Sequence, residues 1–168
     1  MREDVDFEAL VSEHSAPLYR FALSMCRHPD DACDLVQETF LRWAERGHQL
    51  ADRSKVKSWL FTTLFREANA RRRRTLRFPH SEITEAESEL PELPPAAAQV
   101  ADSSTVLHAL QSVDEPFQAA VALFYLEDYS YPEIAAILEV PVGTVKSRVS
   151  RGIAQLQRLL NPLPQPRP

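Results

Sequence analysis

The chain has 168 residues, 44% of them hydrophobic and 26% charged, a balance that excludes wholesale disorder and allows one ordinary domain or two small ones. No apolar run approaches the ~20 residues that cross a bilayer. The charged start Met1-Arg2-Glu3-Asp4 has no apolar signal core, so neither membrane insertion nor export is expected. The formal net charge is −5. A protein that binds DNA unaided usually carries a basic excess, so any DNA contact here must be local or supported by a partner.

Only three glycines are present, Gly47, Gly143 and Gly152. Glycine-rich phosphate loops are thereby excluded, and helices are favoured over hairpins. The first block, residues 1–75, reads as a helical domain. Phe7, Leu10, Val11, Leu18, Phe21, Ala22 and Met25 follow helical spacing, and Pro17 is expected to kink or split that helix. Pro29-Asp30-Asp31 opens a second helix carrying Leu35, Val36, Phe40, Trp43 and Ala44, with Gly47 as its stop. A third helix places Val56, Trp59, Leu60, Thr63, Leu64 and Ala68 on one stripe and ends in the run Arg71 to Arg74.

Residues 76–103 differ in composition. Glu82, Glu85, Glu87, Glu89, Glu92 and Asp102 face a single base, Arg77, and Pro79, Pro91, Pro94 and Pro95 break any helix. This segment reads as a flexible acidic linker. Fully extended it reaches roughly 90 Å, more than the about 70 Å of two DNA turns, so the blocks on either side can occupy separate DNA elements.

The second helical block is 104–161. Val106, Leu107, Leu110 and Val113 mark one helix, and Asp114-Glu115-Pro116 starts another bearing Phe117, Val121, Phe124 and Tyr125. Ser130 with Glu133 three residues on is a capping box, and Ile134, Ala135, Ile137 and Leu138 give a short helix its buried side. After a tight turn through Glu139-Val140-Pro141, a last helix runs from about Val142 to Leu160. Val145, Val149, Ile153 and Leu156 face its core, with Lys146, Ser147, Ser150 and Arg151 opposite. No acid follows Glu139. That is a helix-turn-helix whose second helix can enter the major groove, where Arg or Lys on guanine is worth ~1–3 kcal/mol of discrimination. The tail 162–168, rich in proline, is expected to be disordered.

Other chemistry is poorly represented. The five histidines, His14, His28, His48, His80 and His108, are scattered and fall in no nucleophile or HExxH pattern, so an enzyme is not expected. Cys26 and Cys33 read as two buried thiols. A zinc site on Cys26, His28 and Cys33 is the sharper alternative, but it lacks CxxC pairs and a second ligand cluster. No metal and no cofactor are expected.

The segment Ser130 to Arg148 resembles the fourth-region helix-turn-helix of the sigma-70 family, and Asp34-Leu35-Val36-Gln37-Glu38-Thr39-Phe40 resembles its second region. Both motifs, in this order across a linker, make the chain similar to a sigma factor of the extracytoplasmic-function group. The resemblance implies an all-α protein of two small domains and a role in transcription initiation. It implies that Asp34, Gln37, Glu38 and Leu41 dock on the clamp coiled coil of the largest subunit of core RNA polymerase, with the flap as a second contact. Trp59, Thr62, Thr63, Arg66, Asn69 and Arg71, Arg72, Arg73 and Arg74 would meet the −10 element. Thr144, Lys146, Ser147, Arg148, Ser150 and Arg151 would read the −35 element. An anti-sigma factor and a cytoplasmic, nucleoid-associated location also come with the resemblance. Glu139 stands where the family commonly has glycine, and Cys33, Arg66-Glu67 and Ser150 also depart from its pattern. The rival reading is a free-standing regulator that uses only the C-terminal helix-turn-helix.

Overall fold

Seven α-helices follow from that patterning. In the computed structural model, which describes residues 6–77 and 104–161, they are α1 (Phe7–Met25), α2 (Pro29–Arg46), α3 (Val56–Arg77), α4 (Ser104–Gln111), α5 (Glu115–Tyr125), α6 (Tyr131–Leu138) and α7 (Val142–Leu160). Short 3-10 turns at Gly47–Gln49 and Arg53–Lys55 join α2 to α3. Among the described residues every regular element is helical. Most of the expected linker, residues 78–103, and the tail 162–168 lie outside the described residues. The third helix runs two residues past the expected boundary at 75.

The N-terminal bundle packs α1, α2 and α3 against one another. Asp6 caps α1 by accepting from the Glu8 N–H at 3.1 Å. The helix runs through Pro17 without the split that is one of the two expected outcomes. Proline costs one backbone hydrogen bond. Leu10 before it and Leu18 and Phe21 after it are all buried, which anchors both halves of the helix in the core. Gly47 ends α2, but not as a left-handed cap: its φ is −59°. Glycine is required there for space, since a Cβ would stand 2.5 Å from the Trp43 ring.

The C-terminal bundle is built around α5 and α7, its most extensive helix pair. Val121 and Leu123 of α5 and Val145 and Val149 of α7 are almost wholly excluded from solvent. Gly152 lets the two helices approach, because a Cβ there would lie 2.2 Å from Val121 Cγ2. The capping box forms as the sequence predicts. The Ser130 N–H donates to Glu133 Oε2 at 2.7 Å, and the Glu133 N–H donates to Ser130 Oγ at 3.3 Å. Glu139 takes the left-handed conformation at φ 58°, ψ 45°. The Val140 N–H then closes the turn on the Ala135 carbonyl at 3.1 Å. The two bundles share one apolar core, with α1 against α4 and α5 and α3 against α6.

Candidate nucleic-acid and polymerase interfaces

The helix-turn-helix presents its second helix in the manner its sequence requires. Val145, Val149 and Leu156 are buried and Ile153 is half-buried, which turns the opposite face outward. On that face Lys146, Ser147, Ser150 and Arg151 are exposed, while Thr144 and Arg148 are half-buried at its edge. All six lie in the first three turns of α7, where they can meet base edges and phosphates together.

The second set lies on α3. Arg66, Arg73 and Arg74 are exposed, and Thr62, Thr63, Asn69, Arg71 and Arg72 are half-buried. Trp59 has two roles at once. Its ring packs edge-on against Trp43 at 5.2 Å, and it also borders a cavity of about 440 Å³ between α2 and α3. Thr63 and Arg66 line the same cavity. So do Arg42, Arg46, Gln49 and Leu50, none of which the sequence motifs single out, and Glu67, which the sequence marks only as a departure from the family pattern. The one available signal was the i,i+4 pair Glu38–Arg42 on α2. The cavity itself arises only when α2 and the 3-10 turn fold over α3.

Charge on α3 is partly spoken for. Arg66 donates to Glu139 Oε1 from Nε at 2.7 Å and from Nη2 at 2.6 Å. Arg72 Nη1 lies 2.6 Å from Glu115 Oε1, and the same arginine donates to Asn69 Oδ1 at 3.3 Å. Both acids belong to the C-terminal bundle. Arg71, Arg73 and Arg74 have no ion pair among the described residues.

On one face of α2, Asp34, Gln37 and Leu41 stand exposed, beside the half-buried Glu38. Leu41 is 52% exposed, while Phe40 and Trp43 of the same helix turn are buried on its other side. Arg42 Nε sits 3.1 Å from Glu38 and 3.4 Å from Glu67, tying the exposed face of α2 back to α3.

The cysteines are both free and half-buried rather than fully buried. Burial pushes the Cys26 thiol up to about 11, with Asp31 adding to the rise, and Cys33 is also raised by burial. At both positions burial thus favours the neutral thiol over the thiolate. Among the described residues no three His, Cys, Asp or Glu side chains gather in a way that would hold a metal ion.

Both bundles match family models. Residues 10–78 match sigma-70 region 2, and residues 104–164 match sigma-70 region 4. The chain belongs to the sigma-70 family, in its extracytoplasmic-function group. It is 35% identical over 161 residues to the ECF RNA polymerase sigma factor SigE of Mycolicibacterium smegmatis, covering 92% of this chain and 61% of that one. It is 31% identical over 158 residues to the ECF RNA polymerase sigma factor SigL of Mycobacterium tuberculosis, covering 92% and 89%. Among solved structures, the sigma factor RpoE in complex with the anti-sigma factor NepR from Bartonella quintana superposes with a TM-score of 0.71 at 30% identity, covering 92% of this sigma factor and 96% of that chain. CnrH in complex with the cytosolic domain of CnrY gives 0.62 at 26% identity, covering 92% and 86%. Region 2 spans α1 to α3 of this sigma factor, and region 4 spans α4 to α7.

Proposed function

We propose that this sigma factor binds core RNA polymerase and directs it to promoters through two domains, 1–75 and 104–161, joined by the segment 76–103. The observation that carries the reading is the outward face of α7, basic and free of acids, on a helix-turn-helix with region-4 character. Thr144, Lys146, Ser147, Arg148, Ser150 and Arg151 read the −35 element in the major groove. The N-terminal domain places Trp59, Thr62, Thr63, Arg66 and Asn69 against the −10 element, where Trp59 and the adjoining cavity receive an unstacked base. Arg71 to Arg74 bind phosphates, each adding about 0.7 to 0.9 to the log–log salt slope.

Asp34, Gln37, Glu38 and Leu41 dock on the clamp coiled coil of the largest polymerase subunit, and the C-terminal domain meets the flap. The net charge of −5 agrees with this division of labour, since affinity for DNA then comes from the polymerase complex more than from the free chain. The protein performs no covalent chemistry, acts with the polymerase in the nucleoid of the cytoplasm, and takes an anti-sigma factor as its natural inhibitor. No helix among the described residues is long and apolar enough to cross a membrane, which agrees with that location. Run-off transcription with purified bacterial core enzyme on a genomic promoter library tests the reading. Specific transcripts that depend on the chain are expected. Specific duplex binding without polymerase and without any transcript would overturn it in favour of a free-standing regulator.

A further inference from the structure

The arginine run that closes α3 does not share one face. Arg66 and Arg73 lie about two helical turns apart, on the side of Trp59 and Thr63. Arg71 and Arg72 fall on the opposite side, where they continue the core stripe of Leu60, Leu64 and Ala68. Both are half-buried, whereas Arg73 is exposed. Their guanidiniums meet the junction at which α1 ends and α2 begins. A cavity of about 580 Å³ opens there. Arg27, Arg71, Arg72 and Arg74 border it, and Asp31 is the one acid on its wall among the described residues. Met25 and Ala68 give it an apolar side, with Cys26 beside them.

Four cations around one carboxylate repel one another unless an anion is held between them. Among the described residues no group of the chain fills that role. Arg27, Arg71 and Arg74 have no ion pair there, and Arg72 pairs with Glu115, at 2.6 Å, outside the cavity. The carbonyls at the end of α1 have another partner: Leu23 and Cys26 both accept from the Gln111 amide at 3.0 Å. Cys26 does not supply the negative charge either, because burial favours its neutral thiol.

We propose that this cavity binds a nucleoside di- or triphosphate, its phosphates held among Arg27, Arg71 and Arg74 and its base against Met25. The volume lies within the range of small-molecule sites, roughly 300–1,000 Å³. A guanidinium meets phosphate as a bidentate fork. The Met25 thioether offers a polarisable contact for a ring, which a bare inorganic anion would leave unused. Asp31, half-buried in the first turn of α2, can accept from a sugar hydroxyl or a base amino group. The proposal goes beyond the promoter reading and narrows it at one point. Phosphate stays the partner of the arginines on the cavity, but it comes from a small molecule, while Arg73 keeps the side of α3 proposed to meet DNA. The two sides are separate, so nucleotide and promoter strand can be held together.

Isothermal titration calorimetry of the full chain with ATP, at fixed salt and without divalent cations, tests this. A single saturable site is expected. Arg27→Glu and Arg71→Glu should each weaken it about tenfold or more, the loss of a charge-assisted contact. Arg73→Glu changes net charge by the same amount and should leave ATP affinity within about twofold. Inorganic triphosphate should bind about tenfold less tightly than ATP, since it cannot use the apolar side. Position is read separately: ATP should slow alkylation of Cys26 by iodoacetamide and leave that of Cys33 unchanged, as followed by peptide mass spectrometry. Circular dichroism checks that each variant is folded, and if a reversal unfolds the chain, Arg27→Gln, Arg71→Gln and Arg73→Gln must give the same ranking.

No saturable binding up to about 1 mM ATP overturns the site. So do equal losses in all three reversals, which would follow from net charge alone. ATP and inorganic triphosphate bound alike would overturn the nucleotide, and an unprotected Cys26 would overturn the cavity as its place. None of these readouts contains DNA or polymerase, so failed transcription would remove the functional reading while leaving the binding result standing on its own.

Discussion

Gln155 and Asp114 exchange two hydrogen bonds, both of 2.8 Å: the Asp114 N–H donates to Gln155 Oε1, and Gln155 Nε2 donates to Asp114 Oδ2. Asp114 stands at the N-cap of α5 yet makes no side-chain bond to its own helix. Gln155 of α7 supplies the missing partner instead, and so ties the long helix to the start of its neighbour. Gln155→Ala should lower the unfolding free energy by about 1 kcal/mol, the usual worth of a cap or a side-chain hydrogen-bond pair. Urea denaturation followed by circular dichroism measures it. No change in midpoint would mean that water replaces the glutamine at no cost.

Gly152→Ala sets two effects against each other. Alanine in a helix interior gains about 1 kcal/mol over glycine. Here the new methyl meets Val121 Cγ2 at 2.2 Å and Phe117 Cβ at 3.0 Å, and Val121 is completely buried. Overpacking of that kind costs about 1–3 kcal/mol or more. The clash is on the most extensive helix pair in the protein, so the overpacking term should win, with net destabilisation of about 1–2 kcal/mol. A raised Tm for this variant would show that α5 and α7 part more readily than their packing implies.

Glu139→Gly should act in the opposite sense on the helix-turn-helix. Glycine takes the φ of 58° without the Cβ penalty, worth about 1 kcal/mol. The lost Arg66 pair is exposed and subtracts less than that. Higher thermal stability is expected. An unchanged or lower Tm would mean that the pair with Arg66 is worth more than its exposure suggests.

How far the sequence was legible divides along the distance over which each signal acts. The capping box at Ser130 and Glu133, the apolar stripe Val145–Val149–Leu156 and the helix start at Pro29 are all local, and all appear where periodicity and caps place them. Pro17 does not split α1, because its penalty is local while burial of Leu18 and Phe21 is tertiary. Gly47 was legible as a stop but not as the residue that clears room for the Trp43 ring. Arg20 and Glu127 are 107 positions apart, and Arg66 and Glu139 are 73 apart. No spacing rule joins such pairs, so Arg66 was readable as a candidate DNA contact but not as one already held by a carboxylate.

His14 gives the stability a pH dependence in the mildly acidic range. His14 is 8% exposed, and burial holds its pKa below the ordinary 6.5; Glu13 at 3.9 Å opposes this and Lys57 reinforces it. A depressed folded value means that the neutral form is the one the fold accepts. The contribution is therefore complete above 6.5 and is lost as pH falls through the lowered value. Glu127 works in the other sense at lower pH. Burial raises it above the ordinary 4.5 despite Arg20, so it favours the folded chain below 4.5, and that contribution fades as pH rises through its raised value. Comparing urea midpoints of the native chain and His14→Gln from pH 7.5 to 5 isolates the histidine. The native chain should lose stability relative to the variant on going down. Parallel curves would show that His14 titrates alike in both states.

Leu41 separates folding from function most cleanly. It is 52% exposed, its neighbours on the α2 face are Asp34 and Gln37, and nothing among the described residues covers it fully. An exposed leucine contributes little to the fold, so Leu41→Glu should change the unfolding free energy by no more than about 0.5 kcal/mol. If that face docks on polymerase, burying a new carboxylate in place of an apolar anchor should cost about 2 kcal/mol or more of binding, near thirtyfold in affinity. The added negative charge also distinguishes docking from mere acidity. A surface that acts only by attracting a basic partner would bind at least as well after the change, whereas one that uses Leu41 as an apolar anchor would bind worse. Titration of labelled chain with core polymerase decides between them. Equal affinity for native and variant would move the docking surface away from this part of α2.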